Sequence, residues 1–158
     1  MLFQPSLEAI IQYATNHIKS FPITLYYQYK PKTVKPPLIV YRINKEEKPK
    51  FQRFYKITEN KVYHKVADAK LNIHLFLIAH QNSIFSLSQS LDNHIFSIKN
   101  PYIDDEYIKF TYRTFQPFES KEFEKEGYLT MEAILTAHYP ILKTKDLIQV
   151  SVKNVKQN

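Results

Sequence analysis

The stretch KLNIHLFLIAHQNSIFSLSQSLDNHIFSI, residues 70–98, decides the fold. Residues 70–79 alternate in polarity, and because successive side chains of a strand point to opposite faces, one face is wholly apolar. That face consists of Leu71, Ile73, Leu75, Leu77 and Ala79. The other face begins polar, with Asn72 and His74, and ends apolar, with Phe76 and Ile78. The pattern predicts a central strand of a sheet.

The second part of this stretch predicts a helix that follows the strand at once. After the polar residues 80–83, apolar residues recur at the three-and-four spacing of one helix face. They are Ile84, Leu87, Leu91, Ile95 and Ile98. Asn82 or Ser83 is the expected N-cap residue. An amphipathic helix in this position can fold back over the sheet and cover its apolar face.

Segments rich in β-branched and aromatic residues predict the other strands. They are residues 23–29, 38–43, 51–57, 61–66, 106–113, 128–139 and 147–152. An apolar stripe from Ser6 to Lys19 predicts a first helix. Residues 44–50 are expected to form a polar connection, and Pro140 to end the strand before it. The order predicts one α+β domain over residues 1–158, in which two helices cover one face of a mixed, mostly antiparallel sheet and residues 153–158 form a polar tail.

The composition excludes several classes of site. The chain has no cysteine, so disulfides, thiolate metal sites and a cysteine nucleophile are excluded. Gly127 is its one glycine, whereas phosphate loops, dinucleotide fingerprints and nucleophile elbows need several at fixed spacing. The six histidines are scattered and lack the spacing of zinc ligands, which favours half-buried, hydrogen-bonded side chains. We expect no metal, no cofactor and, without an apolar run of roughly 20 residues, no membrane partner.

The charge is distributed unevenly along the chain. The net charge is +7, and twelve of the 22 lysines and arginines lie between Lys30 and Lys70, against four acids. Residues 103–126 carry an acidic excess. Two patches of opposite sign on one small domain can make a head-to-tail contact between copies. The candidate interaction residues are Arg42, Lys45, Lys48, Lys50 and Arg53 on the basic side and Asp104, Asp105, Glu122 and Glu124 on the acidic side.

The basic segment also fits a nucleic-acid partner. Its cations interleave with Tyr41, Phe51, Phe54 and Tyr55, and cations beside exposed aromatic rings suit phosphates and stacked bases. Tyrosine occurs throughout the chain, however, so these rings are more simply sheet residues. A basic nucleic-acid-binding adaptor is therefore the second hypothesis for the function.

A third hypothesis is a magnesium-dependent nuclease. Asp105 is followed by Glu119 and Lys121, the latter two in a Glu-x-Lys pattern. Two carboxylates and a lysine can hold Mg²⁺ and activate water against a phosphodiester, and the pattern resembles the motif of restriction-type nucleases. In that family the Glu-x-Lys pair lies on a core strand, whereas here it lies in a charged run that we expect to be a turn.

The order and length of the elements resemble those of the tail terminator or neck (tail completion) proteins of tailed bacteriophages and prophages. The features that carry the resemblance are the first helix, the strand PPLIVYRI at 36–43, the strand and helix at 71–98, and the late strands around Arg113 and at 128–139. The resemblance implies a homo-oligomeric ring, not an enzyme, that caps the tail tube and joins it to the head connector. It also implies the host cytoplasm during assembly and then the virion as its location.

Overall fold

The structure is a computed structural model that describes residues 1–146. The elements are β1 (Leu2–Phe3), α1 (Leu7–Lys19), β2 (Thr24–Tyr27), β3 (Leu38–Ile57), β4 (Lys61–His80), α2 (Ile84–Phe96), β5 (Tyr102–Ile103), β6 (Glu106–Tyr107), β7 (Lys109–Pro117) and β8 (Tyr128–Asp146). The strand predicted at 147–152 and the polar tail predicted at 153–158 lie outside the described residues.

The sheet is built on two very long strands, β4 and its antiparallel neighbour β8. On the far side of β4, β3 pairs antiparallel and carries β2 in parallel at its first residues. On the far side of β8, β7 and β1 pair antiparallel with different parts of that strand. A small hairpin of β5 and β6 stands apart from the main sheet. The predicted α+β fold with a mixed, mostly antiparallel sheet is confirmed.

Both helices cover one face of the sheet, as the alternation of β4 predicts. The apolar face predicted for β4 is at most 1% exposed, and it packs against Ala14 and Ile18 of α1 and Leu91 and Ile95 of α2. Ser6 is the N-cap of α1, and its Oγ accepts a hydrogen bond from the Ala9 N–H at 3.2 Å. Ser83 precedes α2 without a side-chain cap bond. The core therefore lies between β4, β8 and the helices.

The predicted polar connection at 44–50 is wrong, because these residues continue β3. They pair residue by residue with β4, from Asn44 opposite Asn72 to Pro49 opposite Ala67. The side chains are polar because this part of the strand is exposed, and the regular pairing with β4 holds it extended. Pro49 is tolerated because β2 pairs only with Leu38–Tyr41, so the outer edge of β3 has no strand beside Pro49 within residues 1–146.

Two other predicted boundaries are also wrong. Pro140 does not end β8, which runs on to Asp146. Pro140 lies between the residues that pair with β7 and those that pair with β1, so its missing N–H interrupts neither ladder. The single strand predicted at 106–113 is divided between β6 and β7, because the Ile108 N–H donates to the Pro101 carbonyl at 2.9 Å and the chain turns there.

Candidate interaction surfaces

The hairpin end of β3 and β4 is here called the β-arm and defined as residues 50–65. It is a continuation of the main sheet, because residues 61–65 of β4 still pair with residues 142–146 of β8. The turn closes with a hydrogen bond of 3.0 Å from the Thr58 N–H to the Lys61 carbonyl. The arm exposes apolar side chains, with Phe51 98%, Phe54 59% and Ile57 57% exposed. Phe51 lies in an irregular stretch of β3, between the paired residues Pro49 and Arg53. Clustered exposed apolar side chains among charged residues are typical of a protein-contact surface.

A β-bulge interrupts the pairing of the β-arm close to its turn. Phe54 pairs with His64 and Lys56 with Tyr63, so Tyr55 is an extra residue on β3. A bulge brings two consecutive side chains to the same side of the strand. Tyr55 Oη donates to Glu106 Oε2 at 3.0 Å, and Lys56 Nζ lies 2.5 Å from Glu106 Oε1.

Glu106 is 2% exposed. Burial of the phenol, and its hydrogen bond to this carboxylate, raise the pKa of Tyr55 to about 12. The β5–β6 hairpin, which carries Glu106, therefore anchors the arm to the body of the protein.

The predicted basic residues lie along the exposed part of β3, towards the β-arm and on it. Lys48, Lys50 and Arg53 are exposed. Lys45 pairs with Glu47 at 2.9 Å, and Lys50 Nζ is 3.8 Å from Asp68 Oδ2. The hydrogen bond from Lys65 to Asp68, helped by the charges of Lys50 and Arg53 and opposed by partial burial, lowers the pKa of the Asp68 carboxyl. These pairs are solvent-exposed, so each contributes little to stability and leaves the cations accessible.

Arg42, unlike the other predicted cations, is held within the fold. Its guanidinium donates to Glu122 at 2.6 Å and lies over the rings of Phe76 and Phe123, at 5.4 and 5.5 Å from their centroids. This contact attaches the loop at residues 118–127, here called the acidic loop, to the sheet face opposite the helices. Phe123 is 4% exposed there. Arg42 and Glu122, two predicted interaction residues, are therefore partners of each other.

The predicted acidic surface is divided between two places. Asp104 and Asp105 form the two-residue turn of the β5–β6 hairpin, with φ of 51° and 64°. Asp104 Oδ2 accepts the Ser6 N–H at 2.8 Å, which helps to begin α1. Glu124 is exposed in the acidic loop, beyond the other end of β7. Asp104 therefore has a structural role, and Glu124 lies on a separate surface.

The structure does not bring the three nuclease candidates together. Asp105 precedes β7 and Glu119 and Lys121 follow it; β7 has nine residues and at about 3.4 Å per residue it spans roughly 27 Å. Glu119 and Lys121 lie in an exposed turn rather than on a core strand. Within residues 1–146, no group of three histidine, aspartate or glutamate side chains is placed to hold a metal ion.

A third surface, not predicted from the sequence, is the part of the sheet face that neither helix nor loop covers. Here it is called the polar sheet face. Its concave space measures about 460 Å³. Two rows of facing side chains cross β3, β4, β8 and β7: Asn44, Asn72, Thr136 and Thr111 in one, and Glu46, Lys70, His138 and Lys109 in the next. The polarity of these positions was visible in the sequence, but only the strand register places them side by side.

Side-chain hydrogen bonds connect neighbouring strands at the Glu132 end of the polar sheet face and in its middle, at Thr136. Glu132 accepts from Arg113 Nη2 at 2.8 Å and lies 3.3 Å from His74 Nδ1. Thr136 Oγ1 donates to Asn72 Oδ1 at 2.8 Å. These contacts, like the stacking of His17 on His94 with ring centroids 4.6 Å apart, show histidines in half-buried, hydrogen-bonded positions.

The other end of the polar sheet face is positively charged. His138 lies between Lys70 on β4 and Lys109 on β7, and its Nε2 is 2.8 Å from Thr111 Oγ1. Burial, followed by the charges of the two lysines, lowers the pKa of the His138 imidazole, while Asp68 opposes the shift. In the part of the chain that the structure describes, neither lysine forms an ion pair.

Comparisons with known proteins do not identify a family. No family model matches the chain, and no curated protein matches it. One solved structure, of a protein of unknown function, aligns over 85% of this chain and 94% of its own at 9% sequence identity, with a TM-score of 0.38. A likeness this distant carries no argument about function. Within residues 1–146, no helix combines the length and apolar character needed to cross a membrane.

Proposed function

We propose that the protein is a structural virion-assembly protein, a tail terminator or neck component of a phage or prophage that forms a ring of identical copies. One observation carries the self-assembly part of this proposal. The basic β-arm lies at the Lys61 end of β4, and the acidic loop joins the sheet at the other end, where the Gly127 carbonyl accepts the Gln81 N–H at 2.9 Å. Surfaces of opposite charge therefore lie at opposite ends of one molecule.

The length of β4 makes this separation large. Its 20 residues, at about 3.4 Å each, span roughly 65 Å. A contact between different surfaces of identical copies is heterologous, and repetition of such a contact gives a ring when the rotation closes and a filament when it does not. Phe51 and Phe54 would supply apolar area to the contact, and the cations around them would select the acidic loop of the next copy.

The more specific identity rests on the resemblance in element order. A tail terminator would meet tail tube and head-connector proteins through the remaining surfaces of the ring, first in the host cytoplasm and then in the virion. It would act as a cap and an adaptor rather than as an enzyme. The length of β7 separates Asp105 from Glu119, so these side chains do not form the metal site that the nuclease hypothesis requires.

The test reverses two charges of the β-arm and that of the neighbouring Lys48, in Lys48→Glu/Lys50→Glu/Arg53→Glu. We expect weaker self-association in sedimentation velocity, with the far-UV circular dichroism of the parent protein. The matched control is Lys30→Glu/Lys32→Glu/Lys35→Glu, which makes the same change in net charge in the loop before β3. Equal self-association of the arm variant and the parent would contradict the proposed contact, and electron micrographs without closed rings would contradict the ring.

A nucleic-acid-binding adaptor is the second candidate, favoured by the exposure of Phe51 among the arm cations. Such binding loses affinity steeply with added salt, because each neutralised phosphate releases counterions. Fluorescence anisotropy of a labelled 20-base-pair duplex between 50 and 200 mM salt measures this dependence. A loss of about 10³-fold would favour the adaptor, and the absence of binding at the lower salt concentration would exclude it.

A further inference from the structure

The positive end of the polar sheet face has the features of an anion site. Lys70, His138 and Lys109 face the same side from three neighbouring strands. Strands lie about 4.8 Å apart, so the two lysine Cα atoms are roughly 10 Å apart with the imidazole between them. Side chains of lysine length can converge over that distance on one oxyanion. Both lysines are exposed, whereas His138 is half-buried.

Neutral donors and open space complete this arrangement. Thr111 contacts His138, and Asn44 and Asn72 lie in the adjacent row of the same face. The Arg113 guanidinium at the far end is engaged by Glu132. Lys70 and His138 line the concave space of about 460 Å³, and Lys109 lies opposite His138 on the neighbouring strand. This space has room for a phosphate group and for part of a larger molecule that carries one. Glu46 faces Lys70 from β3 and forms no ion pair among the described residues. Its negative charge would repel an anion, so the site ends at Lys70 on that side.

We propose that the polar sheet face binds a phosphate group between Lys70, Lys109 and His138. Lysine ammonium groups bind phosphate as point charges, and the imidazole adds a directed hydrogen bond when it is protonated. This site lies on a part of the sheet face that the acidic loop does not cover, and it includes no residue of the β-arm, so it does not depend on the proposed self-assembly.

Binding at this site is coupled to the protonation of His138. In the unbound protein the charged groups nearest the imidazole are Lys70 and Asp68 on β4 and Lys109 on β7. Glu46 on β3 faces the same side but lies one strand further away, opposite Lys70. Burial and the two lysines favour its neutral form. The negative charge of a bound phosphate dianion favours the imidazolium form, so phosphate binding raises the pKa of His138. By linkage, the affinity for the dianion increases as the pH falls through that pKa.

The experiment is an NMR titration of the histidine rings of the full chain with pH. Spectra are compared in inorganic phosphate and in sodium chloride of equal ionic strength, and His138→Gln assigns the signal. We expect the apparent pKa of His138 to rise in phosphate. A rise of about one unit corresponds to roughly ten-fold tighter binding to the protonated ring. An apparent pKa that is the same in both salts would overturn the proposal.

The lysines are tested with Lys70→Ala/Lys109→Ala and with each single variant, and Lys19→Ala on the helix side is the control that is matched to the single variants. We expect the double variant to lose the response to phosphate and the control to keep it. A response retained in the double variant would overturn the site. A 20-base-pair duplex, added in a second arm, distinguishes the source of the phosphate: perturbation of His138 by both ligands indicates a nucleic-acid phosphate, and perturbation by inorganic phosphate alone indicates a small ligand.

Discussion

Lys56 Nζ lies 2.5 Å from Glu106 Oε1, and this ion pair joins the β-arm, close to its turn, to the β5–β6 hairpin. The lysine side chain is 29% exposed and that of the glutamate 2%. A buried carboxylate is costly unless it is paired, so the two donors from the bulge at Tyr55 and Lys56 compensate its burial. The pair therefore ties the outer strand of the β-arm, β3, to the β5–β6 hairpin.

Replacing Glu106 should loosen the arm. In Glu106→Gln the charge is lost while the size is kept, and we expect the free energy of unfolding to fall by about 2 kcal/mol. Amide hydrogen exchange at residues 50–57 should accelerate more than exchange in the core strands, because the contact acts locally. Glu119→Gln, which changes an exposed glutamate, is the control. Unchanged exchange in the arm of Glu106→Gln would show that the ion pair does not anchor it.

The exposed rings of the arm should contribute to assembly and little to folding. Phe51 is 98% exposed and Phe54 59%, so Phe51→Ser/Phe54→Ser removes little buried surface from a single copy. We expect weaker self-association and an unfolding temperature close to that of the parent. Phe85→Ser on α2 is a matched control, because Phe85 is 58% exposed. Equal effects of the arm and helix variants on self-association would argue against a specific contact at the arm.

The acidic loop depends on Phe123 for its position. This side chain is 4% exposed and packs against Phe76, with ring centroids 5.8 Å apart, beneath the Arg42–Glu122 pair. Phe123→Ala should lower the free energy of unfolding by about 3 kcal/mol, since it leaves a cavity in a small core. Phe118→Ala should cost less, because Phe118 is 37% exposed. Chemical denaturation measures both, and equal losses would contradict the packing described for the loop.

The stability of the protein should depend on pH through His138. Its pKa is lowered in the folded state, so between the ordinary value of 6.5 and the folded value the unfolded chain binds more protons. Stability therefore falls as the pH decreases from 6.5 through that folded value. Denaturation at several pH values should show a smaller decrease for His138→Gln than for the parent. An identical decrease in both proteins would mean that other groups account for the pH dependence.

The buried elements could be predicted from the sequence, but the structure of the exposed segments could not. The alternation from Leu71 to Ala79 and the helical spacing from Ile84 to Ile95 directly reflect burial, and both predictions are confirmed. The continuation of β3 through residues 44–50 could not be predicted from their polarity, because those residues are exposed and are held extended by pairing with β4. Pro140 was misleading for a similar reason, since its effect depends on which strands lie beside it.

For the candidate sites, too, the sequence predicted the charged segments but not the contacts that their residues make. Charge counting found the basic segment and the acidic loop, but it could not show that Arg42 and Glu122 bind each other or that Asp104 contacts the start of α1. The polar sheet face required the register of four strands. Lys70, Lys109 and His138 are separated by up to 68 positions in the sequence, and nothing local to any of them indicates the other two.

The most direct test of the account is the mass of the purified protein in solution. Multi-angle light scattering at two salt concentrations, with the ratio of absorbance at 260 and 280 nm, gives the mass and any bound nucleic acid together. The account predicts a discrete oligomer without nucleic acid, whose mass falls at the higher salt concentration because screening weakens the contact between the β-arm and the acidic loop. A monomer at both salt concentrations would contradict it.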